Sequence, residues 1–138
     1  MSSRLNPYLN FRKSTREAMT FYQQVFGGEL TLNTYGDFGM TDVPEELDKI
    51  MHSQLETSSG FVLMAADVPD SMPMSEGGSI SISLSGDSAE ELRGYWDALA
   101  AGGTVGEPLA EAPWGDSFGE LTDRFGVTWL VNISGAPA

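Results

Sequence analysis

The chain has 138 residues, 41% hydrophobic and 20% charged, the balance of one globular domain rather than of a disordered chain. Its 20 Asp and Glu against 7 Lys and Arg leave a formal charge of −13, a surface that repels phosphate backbones and anionic lipid, so neither nucleic acid nor a membrane is expected as a partner. Cysteine is absent, which rules out disulfides, thiolate metal sites and a cysteine nucleophile.

In chain order, Met1 to Phe11 has no basic segment followed by an apolar one, and the longest apolar run, Phe61 to Ala66, is far too short to span a bilayer. A cytoplasmic protein is expected. Pro7-Tyr8-Leu9-Asn10-Phe11 reads as a strand. Ser14-Thr15-Arg16-Glu17 has the form of a capping box, in which Ser and Glu exchange hydrogen bonds with each other's backbone amides. A helix follows, with Ala18, Phe21, Tyr22, Val25 and Phe26 at helical spacing and a stop at Gly27-Gly28. Strand candidates come next at Glu29–Thr34, Ile50–Glu56 and Phe61–Ala66. The loop from Tyr35 to Asp48 is long and acidic, with Phe38 and Met40 near its middle. It is either a lid that brings Tyr35, Phe38 and Met40 over a site, or acidic decoration.

Residues 69–78, rich in Pro, Met, Ser and Gly, read as a linker, and beyond it the same grammar starts again. Ile80 to Leu84 is strand-like, Ser88-Ala89-Glu90-Glu91 repeats the capping box, and Leu92, Tyr95, Trp96 and Leu99 mark a helix that stops at Gly102-Gly103. In both helices an aromatic pair stands at the same distance from the cap. Further strands are expected near Thr104–Val105, Phe118–Thr122 and Thr128–Ile133. The reading is α+β: a single domain of two βαβββ modules, residues about 4–68 and about 79–134. In Ser79–Ser85, alternation places Ile80, Ile82 and Leu84 on one face and four serines on the other. The serine face must meet either solvent or a polar-lined cavity.

Several ordered segments carry a resemblance: Pro7-Tyr8-Leu9-Asn10-Phe11, then Phe21-Tyr22 with Val25-Phe26-Gly27-Gly28, then Ile50-Met51-His52. The second half adds Trp114-Gly115-Asp116 with Phe118-Gly119, and Asp123-Arg124-Phe125-Gly126-Val127 with Trp129. From Pro7 to Asn132 the chain resembles the PhnB-like branch of the glyoxalase/bleomycin resistance/dioxygenase (vicinal-oxygen-chelate) superfamily. The resemblance implies two modules whose mixed sheets curl into a cup, and commonly a homodimer. It also implies a divalent metal held by His and Glu on the first and last strands of each module. Carried over from the helices, those ligand positions fall on Pro7, Met64, Ser81 and Leu130, none of which suits such an ion. The single histidine, His52, cannot supply a two-His site, and in a symmetric dimer each site gets one at most. An all-carboxylate site is formally possible, but no cofactor is expected.

Other candidates remain. His52 shares a strand face with Gln54 and Glu56, either as a general base oriented by Glu56 or as a structural histidine. Trp114 either walls a pocket mouth or anchors its loop, and Asp116 could cap the Phe118 or Gly119 amides. The resemblance carries labels of methyl transfer and phosphonate chemistry. The chain shows neither a glycine-rich strand–turn–helix for S-adenosylmethionine nor a basic cluster for a phosphonate. The expected function is therefore metal-free binding of an unidentified small organic molecule, with Leu9, His52, Met64, Ser81, Ser83, Trp114 and Leu130 as the ligand-binding set. The alternative is a lyase, isomerase or dioxygenase that uses a metal or His52, with Glu56 as its helper.

Overall fold

The computed structural model describes residues 5–74 and 79–135, so the last four positions of the expected linker, 75–78, lie outside the described residues. The chain divides into two compact units, residues 1–76 and 77–138. The first comprises β1 (Tyr8–Phe11), α1 (Thr15–Phe26), β2 (Glu29–Thr34), β3 (Ile50–Glu56) and β4 (Val62–Asp67). The second comprises β5 (Ile82–Gly86), α2 (Ala89–Ala100), β6 (Thr104–Glu111), β7 (Ser117–Thr122) and β8 (Thr128–Ile133). Each unit is thus a βαβββ module, and the α+β class stands.

The two sheets have one topology. In the first the order is β1-β4-β3-β2, with β1 parallel to β4 and the other neighbours antiparallel. In the second it is β5-β8-β7-β6, again with the first pair parallel. Neither sheet closes on itself. One helix covers one face of each: α1 buries Ala18, Met19, Phe21 and Tyr22 over Leu55, Leu63 and Ala65, and α2 buries Leu92, Trp96 and Leu99 over Leu84, Leu121, Trp129 and Val131. Burial of these side chains supplies most of each unit's stability, at about 1.5–3 kcal/mol for a large apolar residue.

Each helix leaves through glycines, and the second of each pair is fixed by close approach. A Cβ on Gly28 would collide with the Glu56 carbonyl oxygen, and one on Gly103 with that of Thr122. The chain can turn against the end of its neighbouring strand there only without a side chain.

The expected capping boxes fare differently. Ser88 does cap α2, accepting from the Glu91 amide at a long 3.4 Å. Ser14 makes no such bond. Instead the carboxylate of Asp67, 2% exposed at the end of β4, accepts from the Thr15 amide at 3.0 Å and the Ile50 amide at 2.9 Å. A buried anion at the positive end of α1 does the work assigned to the local box, and only the tertiary fold brings it there.

Several strand limits also move, β5 and β6 the most. β5 begins at Ile82, and Ile80 is 84% exposed rather than packed beneath α2. β6 runs beyond the expected Thr104–Val105 to Glu111, because Gly106 and Pro108 fall at irregularities that the pairing with β7 absorbs.

Candidate functional site: the helix-free faces of the two sheets

Register decides which side chains share a face. In the first unit Tyr8 pairs with Met64 and Met64 with Gln54, while His52 pairs with Asn33. By strand alternation Tyr8, Asn10, Asn33, His52, Gln54, Glu56 and Met64 occupy the face opposite α1. Leu9 does not join them. It pairs with Ala65 and, like Phe11, points to the helix side.

Within this face the Tyr8 and His52 rings approach to 6.3 Å between centroids, tilted by 34°. They stand on β1 and β3, with β4 between them. On β4 the residue paired with Tyr8 is Met64, and the next one on this face is Ala66, paired with Asn10. Burial pushes the Tyr8 hydroxyl above its ordinary pKa. Gln54 donates to Glu56 Oε1 at 2.7 Å. Four residues of strand, about 13 Å, separate Glu56 from His52, so Glu56 cannot orient the imidazole as the general-base reading requires.

The Tyr35–Asp48 connection is folded rather than loose. The Tyr35 amide donates to the Lys49 carbonyl and the Gly36 amide to that of Leu47, a short 3-10 turn spans Pro44–Glu46, and Thr34 and Asp37 exchange two bonds of 2.9 Å. Lys49 ties it down through Glu46 at 3.1 Å and Asp70 at 3.0 Å. Of the three residues expected over a site, Tyr35 turns back onto its sheet and donates to the Asp67 carbonyl at 2.8 Å. Burial and then the nearby Asp67 carboxylate raise its pKa. Phe38 and Met40 stay 55% and 64% exposed.

In the second unit Ser83 pairs with Leu130 and Leu130 with Glu120, while Ser85 and Phe118 flank Asn132. These residues form the face opposite α2. Ser81 precedes β5 and is exposed. Trp114 stands 68% exposed on the tight turn between β6 and β7, free of the packing an anchor would need. Asp116 does not cap Phe118 or Gly119. It accepts from the Gly135 amide at 2.8 Å and from Asn132 Nδ2 at 3.1 Å, and these bonds hold its carboxyl below the usual carboxylate range.

The repeat corrects the expected ligand positions. Three residues, Arg12 to Ser14, join β1 to α1, but only Asp87 and Ser88 join β5 to α2. Counting back from the helices therefore lands on opposite faces in the two halves, because one residue reverses a strand's side-chain direction. The equivalent positions are Tyr8 facing Met64 and Ser83 facing Leu130, with Pro7 and Ser81 outside the strands. A phenol, a thioether, a hydroxyl and an isobutyl group do not fit the metal the family fold implies. Among the described residues no three His, Asp or Glu side chains are grouped to hold an ion. None of the described residues forms a helix long and apolar enough to cross a membrane.

Comparison with known proteins agrees with this architecture. The protein PA1353 from Pseudomonas aeruginosa, a solved structure, is 42% identical, with 98% of this chain and 100% of that one covered and a TM-score of 0.81. The protein YjdN of Escherichia coli (strain K12) is 27% identical, covering 94% of each chain. A Bacillus cereus structure described as a putative 3-demethylubiquinone-9 3-methyltransferase, PhnB protein, is 20% identical, with 96% and 100% covered and a TM-score of 0.74, and shares the fold. The model of the Glyoxalase/Bleomycin resistance protein/Dioxygenase superfamily matches residues 4–131. With matching strand order in both units and a family match across nearly its whole length, the chain belongs to that superfamily.

Proposed function

We propose that this protein is a metal-free member of its superfamily that binds a small organic molecule on the helix-free sheet faces. The observation that carries this reading is the chemistry of the facing pairs, Tyr8 with Met64 and Ser83 with Leu130, where a chelating set would need imidazoles or carboxylates. What these faces offer is hydrogen-bonding hydroxyls and amides interspersed with aromatic, thioether and aliphatic surface, a composition suited to an uncharged or weakly charged organic guest. The protein is expected to act in the cytoplasm, as a homodimer, with no nucleic acid or membrane partner.

Two measurements test the reading together. Elemental analysis of protein purified without chelator should find far less than one metal per chain. Equilibrium dialysis against a panel of small amphipathic molecules should find at least one that is retained. Stoichiometric metal, or activity lost on His52→Ala with the fold intact, would replace this reading with the enzymatic one. Retention of no panel member would count against binding altogether.

A further inference from the structure

We infer that the Tyr8–His52 ring pair is a stacking platform for a planar aromatic guest, and that its face selects a cationic guest over an anionic one. This inference rests on the small-molecule-binding reading above and assigns that guest a chemical class.

The platform is visible in the first unit alone. Two rings from non-adjacent strands meet at 6.3 Å, over a strand that carries Met64 beside Tyr8 and Ala66 as the next residue on the same face. Tyr8 is 46% exposed, so one side of the pair remains available to a third ring. Beside the pair stands Asn33, opposite His52, an amide able to hydrogen-bond the polar edge of a heterocycle.

Charge sets the sign of the preference. Among the described residues, no strand of either sheet contains a lysine or an arginine. The described cationic side chains lie elsewhere: Arg12 and Lys13 between β1 and α1, Arg16 on α1, Lys49 just before β3, Arg93 on α2, and Arg124 in the turn before β8. Lys49 approaches the sheet but spends its charge on Glu46 and Asp70. A carboxylate, sulfonate or phosphate placed on the face would find no lysine or arginine on its strands, among the described residues, to pair with. A cationic ring over the Tyr8 phenol gains the attraction of its π face, and the whole surface at −13 favours that approach.

The test uses three probes of one tricyclic size: 10-methylacridinium as the cation, 9-anthracenemethanol as the neutral ring and anthracene-9-carboxylate as the anion. Calorimetric titration of the full chain should show the cation binding about tenfold or more tighter than the carboxylate, with the alcohol between them. Tyr8→Leu keeps the bulk but removes the π face, and should weaken the cation by about tenfold while leaving the thermal midpoint nearly unchanged. The His52 ring protons should shift upfield on addition of the cation, which a change confined to stability would not produce. Equal binding of cation and carboxylate, or full affinity in a folded Tyr8→Leu variant, overturns the inference. If none of these probes binds while the broader dialysis panel yields a guest, the platform is wrong and the binding reading stands. If neither set is retained, both fall.

Discussion

Replacing Gly119 by alanine would add a methyl group where two neighbours already stand. Gly119 lies on β7 opposite Val131, on the side of the sheet covered by α2. A Cβ there would sit 2.7 Å from Trp96 Cη2, 2.9 Å from Trp96 Cζ3 and 2.8 Å from Leu109 Cα. Carbon atoms rest at about 3.5–4.0 Å, so roughly an ångström must be recovered on each side. Neither side gives easily: the Trp96 ring is 8% exposed within the helix packing, and Leu109 presents the backbone of β6. Overpacking of this kind costs about 1–3 kcal/mol, and with main chain as one obstacle the upper end is expected, about 3 kcal/mol. Urea unfolding followed by tryptophan fluorescence is the assay, because Trp96, Trp114 and Trp129 all lie in the second unit and report its unfolding. At a slope of about 1–3 kcal/mol per molar urea, the midpoint should fall by about 1–3 M. A Gly119→Ala variant that unfolds at the parental midpoint with unchanged slope would refute the argument.

Gly94 is the opposite case, a mid-helix glycine of α2 with open space where its Cβ would be, so Gly94→Ala should raise the stability read by the same assay by about 0.8–1 kcal/mol. Asp67→Asn keeps one acceptor but turns an amino group toward a backbone N–H, and calorimetry should register a loss of about 3 kcal/mol, with a much smaller loss speaking against the buried cap of α1. Asp116 has a folded pKa below its ordinary value, so its bonds to Gly135 and Asn132 stabilise the fold above about pH 4 and are lost as pH falls through the depressed value. The stability gap between the parent and Asp116→Asn should therefore be wide at pH 7 and narrow as pH falls through that depressed value, and a gap independent of pH would argue against this role.

Much of the architecture is legible in the sequence because local signals agree with one another. The aromatic pairs Phe21-Tyr22 and Tyr95-Trp96, each at the same distance from the serine that opens its helix, reveal the repeat, and the repeat is what the two sheets display. Legibility fails wherever tertiary contact overrides local chemistry. Ser14 followed by Glu17 has the form of a cap, yet the cap is Asp67, fifty-two residues from Thr15. Gly106 and Pro108 look like the end of a strand, yet pairing with β7 carries β6 through them. For the site, alternation alone places His52, Gln54 and Glu56 on one face, and Met64 joins them through β4. Sequence reasoning misses Tyr8 in favour of Pro7 and Leu9. Periodicity says which residues share a face but not which face the helix covers, and that phase is set by the length of a connection. The available signal is the aromatic at position 8 itself, a half-exposed ring on an edge strand.

The extra residue between β1 and α1 also bears on how this molecule can be re-engineered. The two halves are not interchangeable cassettes. A chimera that grafts α2 after β1, together with its own two-residue lead-in, would rotate the first strand by half a turn about its axis. Leu9 would then point into solvent and Tyr8 into the oily interior. Any swap, circular rearrangement or fusion of duplicated halves must therefore carry strand, connection and helix across as one inseparable block.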